Sequence, residues 1–428
     1  MTRIFRPAAQ MKDFESYQPL MVTSAHGAIL ETTQGPVIDA ISSWWCKSLG
    51  HGHPNIKAAI TQQLQRFDHV MGADCTYDLI EELGEKLFEH TGKSHVMFAS
   101  DGASVVEIAL KLALQTQKIK KQPQKNAFLS LKGAYHGETL GALSVTDLGK
   151  YKNAYTSIQS PCYFLEAIPY VSGINDPLWE DCESYWMLVE SKLEYLKDSL
   201  AAIIVEPLVQ GANSMQIYSK DFLKRLHDYA KAHDIIFIAD EIMTSFGRLG
   251  EWLAQDIAEI SADLICVAKG LTGGSLPLSA VLIDADIYKH FYDDYENGNN
   301  FLHSHTHSGN ALAVAAAIAT IKTLETMDVK NTVKTLNLTM QQAFHDIADK
   351  TQKLHNIRSL GAIIAADLSP HQAPSRLGFK LHQEALKRGA LLRPIGNTLY
   401  WLPPLNIDNT TIGKLSEITL HSIKACYQ

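Results

Sequence analysis

Three short stretches carry side chains that could do chemistry together, each at the C-terminal end of an apolar run. The first, Ser100-Asp101-Gly102-Ala103-Ser104, follows residues 95–99 and leads into a helical pattern opening at Ser104. A helix start presents free N–H groups and the positive end of a dipole, which together hold phosphate. The same residues also suit an ordinary Ser-capped helix. The second, Asp240-Glu241, follows the run 235–239. Two carboxylates there could bind a metal, cap a helix or face a cationic ring nitrogen. The third, Lys269-Gly270, follows the run 264–268. An apolar strand delivers such a lysine to a partly dry site, where the ammonium form is disfavoured and the amine becomes a nucleophile. The competing reading is a surface lysine with its stem on the protein and its head in water.

Parallel strands would bring these ends together. Short apolar runs at 95–99, 127–131, 202–205, 235–239 and 264–268 suit a sheet buried on both faces. Helical periodicity lies between them, with Val105, Ile108, Ala109 and Leu112 on one side of 104–115 and Leu223, Leu226 and Tyr229 on one side of 222–232. Asp240 and Lys269 are 29 residues apart, enough for a crossover between parallel strands. Ligands bind at the carboxyl edge of such sheets.

The fold class expected is therefore α/β, with a mostly parallel central sheet in a large domain and a smaller α+β domain. The chain of 428 residues, 46% hydrophobic, exceeds one ordinary domain. Residues 1–50 read as an N-terminal segment carrying a hairpin (28–33, a turn at Gln34-Gly35-Pro36, then 37–45) that belongs with the small domain. Residues 51–330 form the large domain, ending in an alanine-rich helix over 311–327. Residues 331–428 form the small one, with short strands near 362–367 and 391–393 and a last helix from Thr411.

A formal net charge of −8 offers no attraction to nucleic acid or an anionic membrane. No run approaches the roughly 18 apolar residues of a membrane span, and the first residues lack the apolar stretch of a secretory leader. Six scattered cysteines form no C-x-x-C pair and suggest reduced thiols, so a cytoplasmic location is expected. His303, His305 and His307 alternate as on a strand but lack a carboxylate at ligand spacing, so no metal is expected.

A phosphate-binding turn, a carboxylate for a pyridinium nitrogen and a Schiff-base lysine are what a protein contributes to pyridoxal 5′-phosphate chemistry. Asp240-Glu241-Ile-Met-Thr-Ser-Phe-Gly247-Arg248 resembles the D-E-x-x-T-G-F-G-R block of class III aminotransferases. Ala268-Lys269-Gly270-Leu-Thr-Gly-Gly274 resembles their lysine block, Ala134-Tyr135-His136-Gly137 their G-Y-H-G block, and Ser308-Gly309-Asn310 their phosphate loop. These blocks keep the family's order. Within class III, Ser42-Ser43-Trp44-Trp45 with His51-Gly52-His53-Pro54, His69-Val70-Met71-Gly72, and Arg393-Pro394 with Tyr400-Trp-Leu-Pro-Pro404 resemble the adenosylmethionine-8-amino-7-oxononanoate aminotransferases of biotin synthesis.

The resemblance implies a fold type I transferase in which Lys269 carries the cofactor and moves a proton, Asp240 holds the ring nitrogen protonated, and Tyr135 stacks on the ring. Ala103 and Ser104 would hold the phosphate, and Glu206 would stand behind the cofactor. Thr306 would reach the phosphate of a neighbouring subunit, implying a homodimer with shared sites. Arg393 would take the substrate carboxylate. Trp44 would wall the substrate chain, with Trp45 structural, and Arg248 would contact the donor carboxylate. The implied substrates are 8-amino-7-oxononanoate and S-adenosylmethionine. Two departures bear on the donor. Phe5-Arg6-Pro7-Ala8 replaces aromatic-His-Pro-Tyr, leaving Tyr17 as a substitute, and His303-Ser304-His305-Thr306 replaces H-G-P-T. Alternatives are a class III ω-aminotransferase using lysine, ornithine, 4-aminobutyrate or a diamine, and a non-catalytic binding protein on the same fold.

Overall fold

The computed structural model of the chain describes residues 3–370 and 375–428; the first two residues of the N-terminal stretch lie outside these. Its centre is a seven-stranded sheet. In chain order the strands are β1 (His95–Ala99), β2 (Ala127–Leu131), β3 (Cys162–Leu165), β4 (Leu200–Val205), β5 (Ile236–Asp240), β6 (Leu264–Val267) and β7 (Ser279–Ile283). Across the sheet they run β1-β7-β6-β5-β4-β2-β3. β2 to β6 pair in parallel, and β7 lies antiparallel between β6 and β1. The C-terminal ends of β1, β2, β4, β5 and β6 therefore meet at one edge.

The runs are apolar throughout because successive side chains enter opposite cores. Ile203, Val205, Phe237, Ala239, Ile265 and Val267 belong to one buried cluster, and Ala202, Ile204, Ile236, Ile238, Leu264 and Cys266 to another. The helix Gly102–Ile119 covers the second face with Val105, Ile108, Ala109 and Leu112. Two strands escape the sequence reading. β3 is a partly exposed edge strand of four residues. β7 returns antiparallel, so no crossover helix separates it from β6.

The hairpin is formed by Ile29–Thr32 and Gly35–Asp39, with Val22–His26 added on one side and Ala390–Leu391 parallel to Gly35–Asp39 on the other. Its second strand stops at Asp39, short of the expected residue 45. Residues Ser42–Trp45 turn instead, with φ of 50°, 46°, 72° and 73°. A second sheet, Leu354–Leu360, Ile363–Leu368 and Thr398–Trp401, is antiparallel and packs on the helix Val329–Thr351, which packs in turn on the helix Asn409–Cys426. The short strand expected at 391–393 is Ala390–Leu391, and Arg393 has φ 45° beyond it. Residues 303–307 form no strand. No helix among the described residues is long and apolar enough to cross a membrane.

Candidate active site

A cavity of about 650 Å³ opens at the carboxyl edge of the sheet. Its walls come from the three strand ends singled out by residue type: Ser100 to Ala103 after β1, Asp240 at the end of β5, and Lys269 after β6. The helix Gly102–Ile119 starts on the cavity wall. Its cap is Asp101, not Ser104: the Asp101 carboxylate accepts the Ser104 amide at 2.9 Å and the Ser104 hydroxyl at 2.9 Å. Ser104 is thereby committed and does not line the cavity. No acceptor among the described residues takes the amides of Gly102 and Ala103, which both line it. The loop after β2 closes over this helix start. Gly137, at φ +130°, brings its Cα so near that a Cβ there would lie 2.7 Å from the Ala103 Cβ.

Asp240 is 4% exposed. One of its oxygens accepts the Ile242 amide at 3.2 Å, and the other lies 2.7 Å from His136 Nδ1, so the imidazole N–H donates to it. The far ring nitrogen of His136 is 3.2 Å from the Ser130 hydroxyl. No role for His136 follows from the Ala134-Tyr135-His136-Gly137 block alone; its signal there is its place beside Tyr135 in the loop that closes the sheet edge. Glu206, beyond β4, accepts the backbone N–H groups of Tyr135 and Gly211, each at 3.0 Å. Burial pushes its carboxyl up to about 7. Tyr135 lines the cavity and donates its hydroxyl to Glu138 at 2.8 Å; burial, then that acid, raises its phenol. At Lys269 desolvation is the largest influence and lowers the ammonium, against the opposing pull of Asp240, Glu206 and Cys46. Its Nζ lies 5.4 Å from the centre of the Trp45 ring.

The turn Ser42–Trp45 brings Trp45 and the following Cys46 into the wall. The Trp45 amide donates to the Ile41 carbonyl and the Cys46 amide to the Ser42 carbonyl, at 2.8 and 2.9 Å. With four positive φ values in succession this is one turn of left-handed helix, which costs L-residues about 1–2 kcal/mol each. It reverses the roles expected of the two tryptophans. Trp45 lines the cavity and donates its indole N–H to Tyr400 at 3.0 Å. Trp44 points away, 44% exposed, with the Arg393 guanidinium 4.7 Å over its ring. A strand would have sent the two to opposite faces, but the left-handed turn decides which one faces inward. Cys46 also lines the cavity and packs on Gly274, where an added Cβ would meet its sulfur at 2.7 Å.

The other expected site residues lie elsewhere. Arg393 and Tyr17 share a second cavity of about 410 Å³ with Ala8, Lys150 and His382. Arg393 donates to the Ala8 carbonyl at 3.3 Å and forms no ion pair among the described residues. Arg248 does not reach the main cavity. Its guanidinium is buried and donates to the Pro403 carbonyl at 2.6 Å, and burial pulls it down to about 9. That placement corrects its expected role as a donor-carboxylate contact. Ser304 is exposed, and Thr306, also exposed, offers its carbonyl to His69 at 2.7 Å; neither lines the cavity of its own chain.

The sequence pattern of the family described as "Aminotransferase class-III" matches residues 11–423. The chain belongs to the class III aminotransferases. It is 36% identical over 417 residues to the adenosylmethionine-8-amino-7-oxononanoate aminotransferase of Helicobacter pylori, covering 96% of this chain and 93% of that one. The enzyme of the same name from Synechococcus elongatus is 36% identical over 414 residues, covering 95% of each. Among solved structures, that enzyme from Methanocaldococcus jannaschii superposes with a TM-score of 0.89 at 28% identity, covering 100% of this chain and 98% of that one. A PLP-bound amine transaminase from an uncultivated Pseudomonas species superposes with a TM-score of 0.91 at 26% identity, covering 100% and 99%.

Membership of class III makes pyridoxal 5′-phosphate the cofactor, and the donor set fits it. The unbonded amides of Gly102 and Ala103 at a helix start suit its phosphate. The Asp240 carboxylate suits its ring nitrogen, and the amine of Lys269 suits its carbonyl carbon.

Proposed function

We propose that this aminotransferase converts 8-amino-7-oxononanoate to 7,8-diaminononanoate in biotin synthesis, with S-adenosylmethionine as amino donor. One observation carries the reaction type. A desolvated lysine amine and a buried carboxylate end adjacent parallel strands, facing one cavity with a phosphate cradle. The choice of substrate is supported by near-full-length similarity to aminotransferases of that name. It is further supported by Arg393, a guanidinium over an aromatic ring with no ion pair among the described residues, as a carboxylate anchor.

When bound, pyridoxal phosphate supplies the carbonyl that exchanges the amino group and a ring that draws electrons from the carbon losing its proton. The chain does the rest. Gly102 and Ala103 would hold the phosphate through their amides. His136 donates to one Asp240 oxygen and so fixes the carboxylate that would meet the ring nitrogen. Lys269 carries a proton between positions on the bound substrate, because desolvation favours its neutral amine, which can act as a general base. Trp45 and Ile242 present apolar surface that keeps water from the reacting carbon.

The test uses purified protein loaded with pyridoxal phosphate. Single donors are added without acceptor, and loss of the cofactor's visible absorbance is followed. S-adenosylmethionine should bleach the protein, and 8-amino-7-oxononanoate should restore the band. Bleaching by lysine, ornithine, 4-aminobutyrate or a diamine instead would overturn the donor. Failure of the oxononanoate to restore the band would overturn the acceptor.

A further inference from the structure

The left-handed turn that carries the cavity's tryptophan wall is anchored at its ends by Ser42, whose hydroxyl donates to the Leu402 carbonyl at 2.7 Å, and by Trp45 on Tyr400, and its backbone is gathered by one buried carboxylate. Asp39 takes four hydrogen bonds, and none of them goes to the cavity. Its Oδ1 accepts the Ile41 amide at 3.2 Å. Its Oδ2 accepts the Ser43 amide at 2.7 Å, the Ser43 hydroxyl at 2.9 Å and His51 Nε2 at 2.8 Å. Its side chain is completely enclosed, and that of His51 nearly so. His51 is itself pinned, since it exchanges both backbone hydrogen bonds with Gly27 of the hairpin, at 2.9 and 2.7 Å.

We propose that Asp39, with His51, is a positioning pair that locks the Ser42–Trp45 turn and so determines which amino acceptors the cavity admits. The inference rests on the transaminase reading above. Neither residue lines the cavity, yet the turn they hold places three groups that shape it or its surroundings. Trp45 and Cys46 stand in the wall, and Trp44 backs the guanidinium of Arg393. Positive φ at four consecutive non-glycine residues does not persist without such a restraint. Asparagine cannot replace the aspartate. Its amide offers one accepting oxygen, so in either orientation its NH2 meets N–H donors: the Ile41 amide on one side, or Ser43 and His51 on the other. With the restraint weakened, the turn relaxes toward right-handed geometry and Trp45 leaves the wall. The sheet edge bearing Lys269, Asp240 and Glu206 stays as it is.

The experiment compares the cofactor-loaded wild type, Asp39→Asn and Asp39→Asn/Ser43→Gly. The readouts are kcat and KM for whichever acceptor the wild type turns over, the visible spectrum of the bound cofactor, and near-ultraviolet circular dichroism of the tryptophans. Asp39→Asn should raise the acceptor KM about tenfold or more, a displacement effect on substrate fit, while kcat stays within about threefold. The cofactor spectrum should be unchanged and the tryptophan dichroism altered. Ser43→Gly relieves one left-handed position, so the double variant should recover part of the KM. An unchanged KM and dichroism in Asp39→Asn would overturn the proposal. So would a loss of cofactor binding that Ser43→Gly does not reverse. Should Asp39→Asn fail to fold, His51→Ala removes one of the four bonds and should shift KM and dichroism in the same direction; no shift would overturn the proposal. The dichroism needs no substrate, so the inference can fail or stand separately from the assignment of the oxononanoate.

Discussion

Glu206 accepts two backbone N–H groups and forms no ion pair among the described residues. Burial is the largest influence on its carboxyl, the nearby Asp240 adds to it and His136 opposes it, and the balance stands at about 7 against 4.5 in solvent. A carboxyl raised in the folded state binds its proton more tightly there than in the unfolded chain. The stability this contributes is complete below pH 4.5 and is lost as pH rises through 7. Urea unfolding of cofactor-free wild type and Glu206→Gln should therefore show a pH-dependent gap. Between pH 5 and pH 8 the wild type should lose stability relative to the variant, on the order of 1–3 kcal/mol. A constant gap would mean that burial does not raise the Glu206 carboxyl in the folded protein. Lys269 has the opposite sign in charge and the same cause, since desolvation favours the neutral amine a transaminase needs.

At the scale of elements, the cavity depends on a loop and a helix start meeting without a side chain between them. Gly137→Val would place a branched side chain at φ +130° and its Cβ 2.7 Å from that of Ala103. Strain of about 1–3 kcal/mol should displace the start of the helix Gly102–Ile119. Fluorescence titration with pyridoxal phosphate should then show affinity falling about tenfold or more, and retained affinity would show that the loop yields instead of the cradle. Much of this arrangement was legible in the sequence. Five strands of the central sheet announce themselves as apolar runs because both faces are buried, and the reactive side chains sit where those runs stop. What escaped depends on which of several competent partners a side chain takes, near or far in the chain. The run through Trp45 reads as strand because nothing local shows that Asp39, buried under the hairpin, will hold residues 42–45 left-handed. Ser104 reads as the helix cap because Ser and Asp are equally good caps, and only the fold reveals that Asp101 takes that place. Arg248 lies in a recognisable block, yet its guanidinium is spent on the Pro403 carbonyl, 155 residues away.

At the scale of the whole molecule, the segment holding Ser304 and Thr306 lies on the outside of the chain. Thr306 is tied to His69, and nearby Met71 and Leu302 are 57% and 81% exposed. Large apolar side chains left open in this way suit a surface covered by another copy. The expectation that Thr306 completes the site of a neighbouring subunit requires a dimer in which each cavity draws on both chains. Lys269→Ala should abolish turnover while leaving the fold intact, because it removes the amine and no core packing. Thr306→Val should weaken cofactor retention in the other chain's cavity without touching its own. Neither variant alone should match the wild type. In a mixed dimer, the cavity that keeps Lys269 belongs to the Thr306→Val chain and receives an intact Thr306 from the Lys269→Ala chain. Unfolding and refolding the two variants together should therefore give more activity than the average of the two refolded alone, and sedimentation should report a dimer. If the refolded mixture is only as active as the average of its parts, each cavity is complete within one chain, and the phosphate is held by residues of that chain alone.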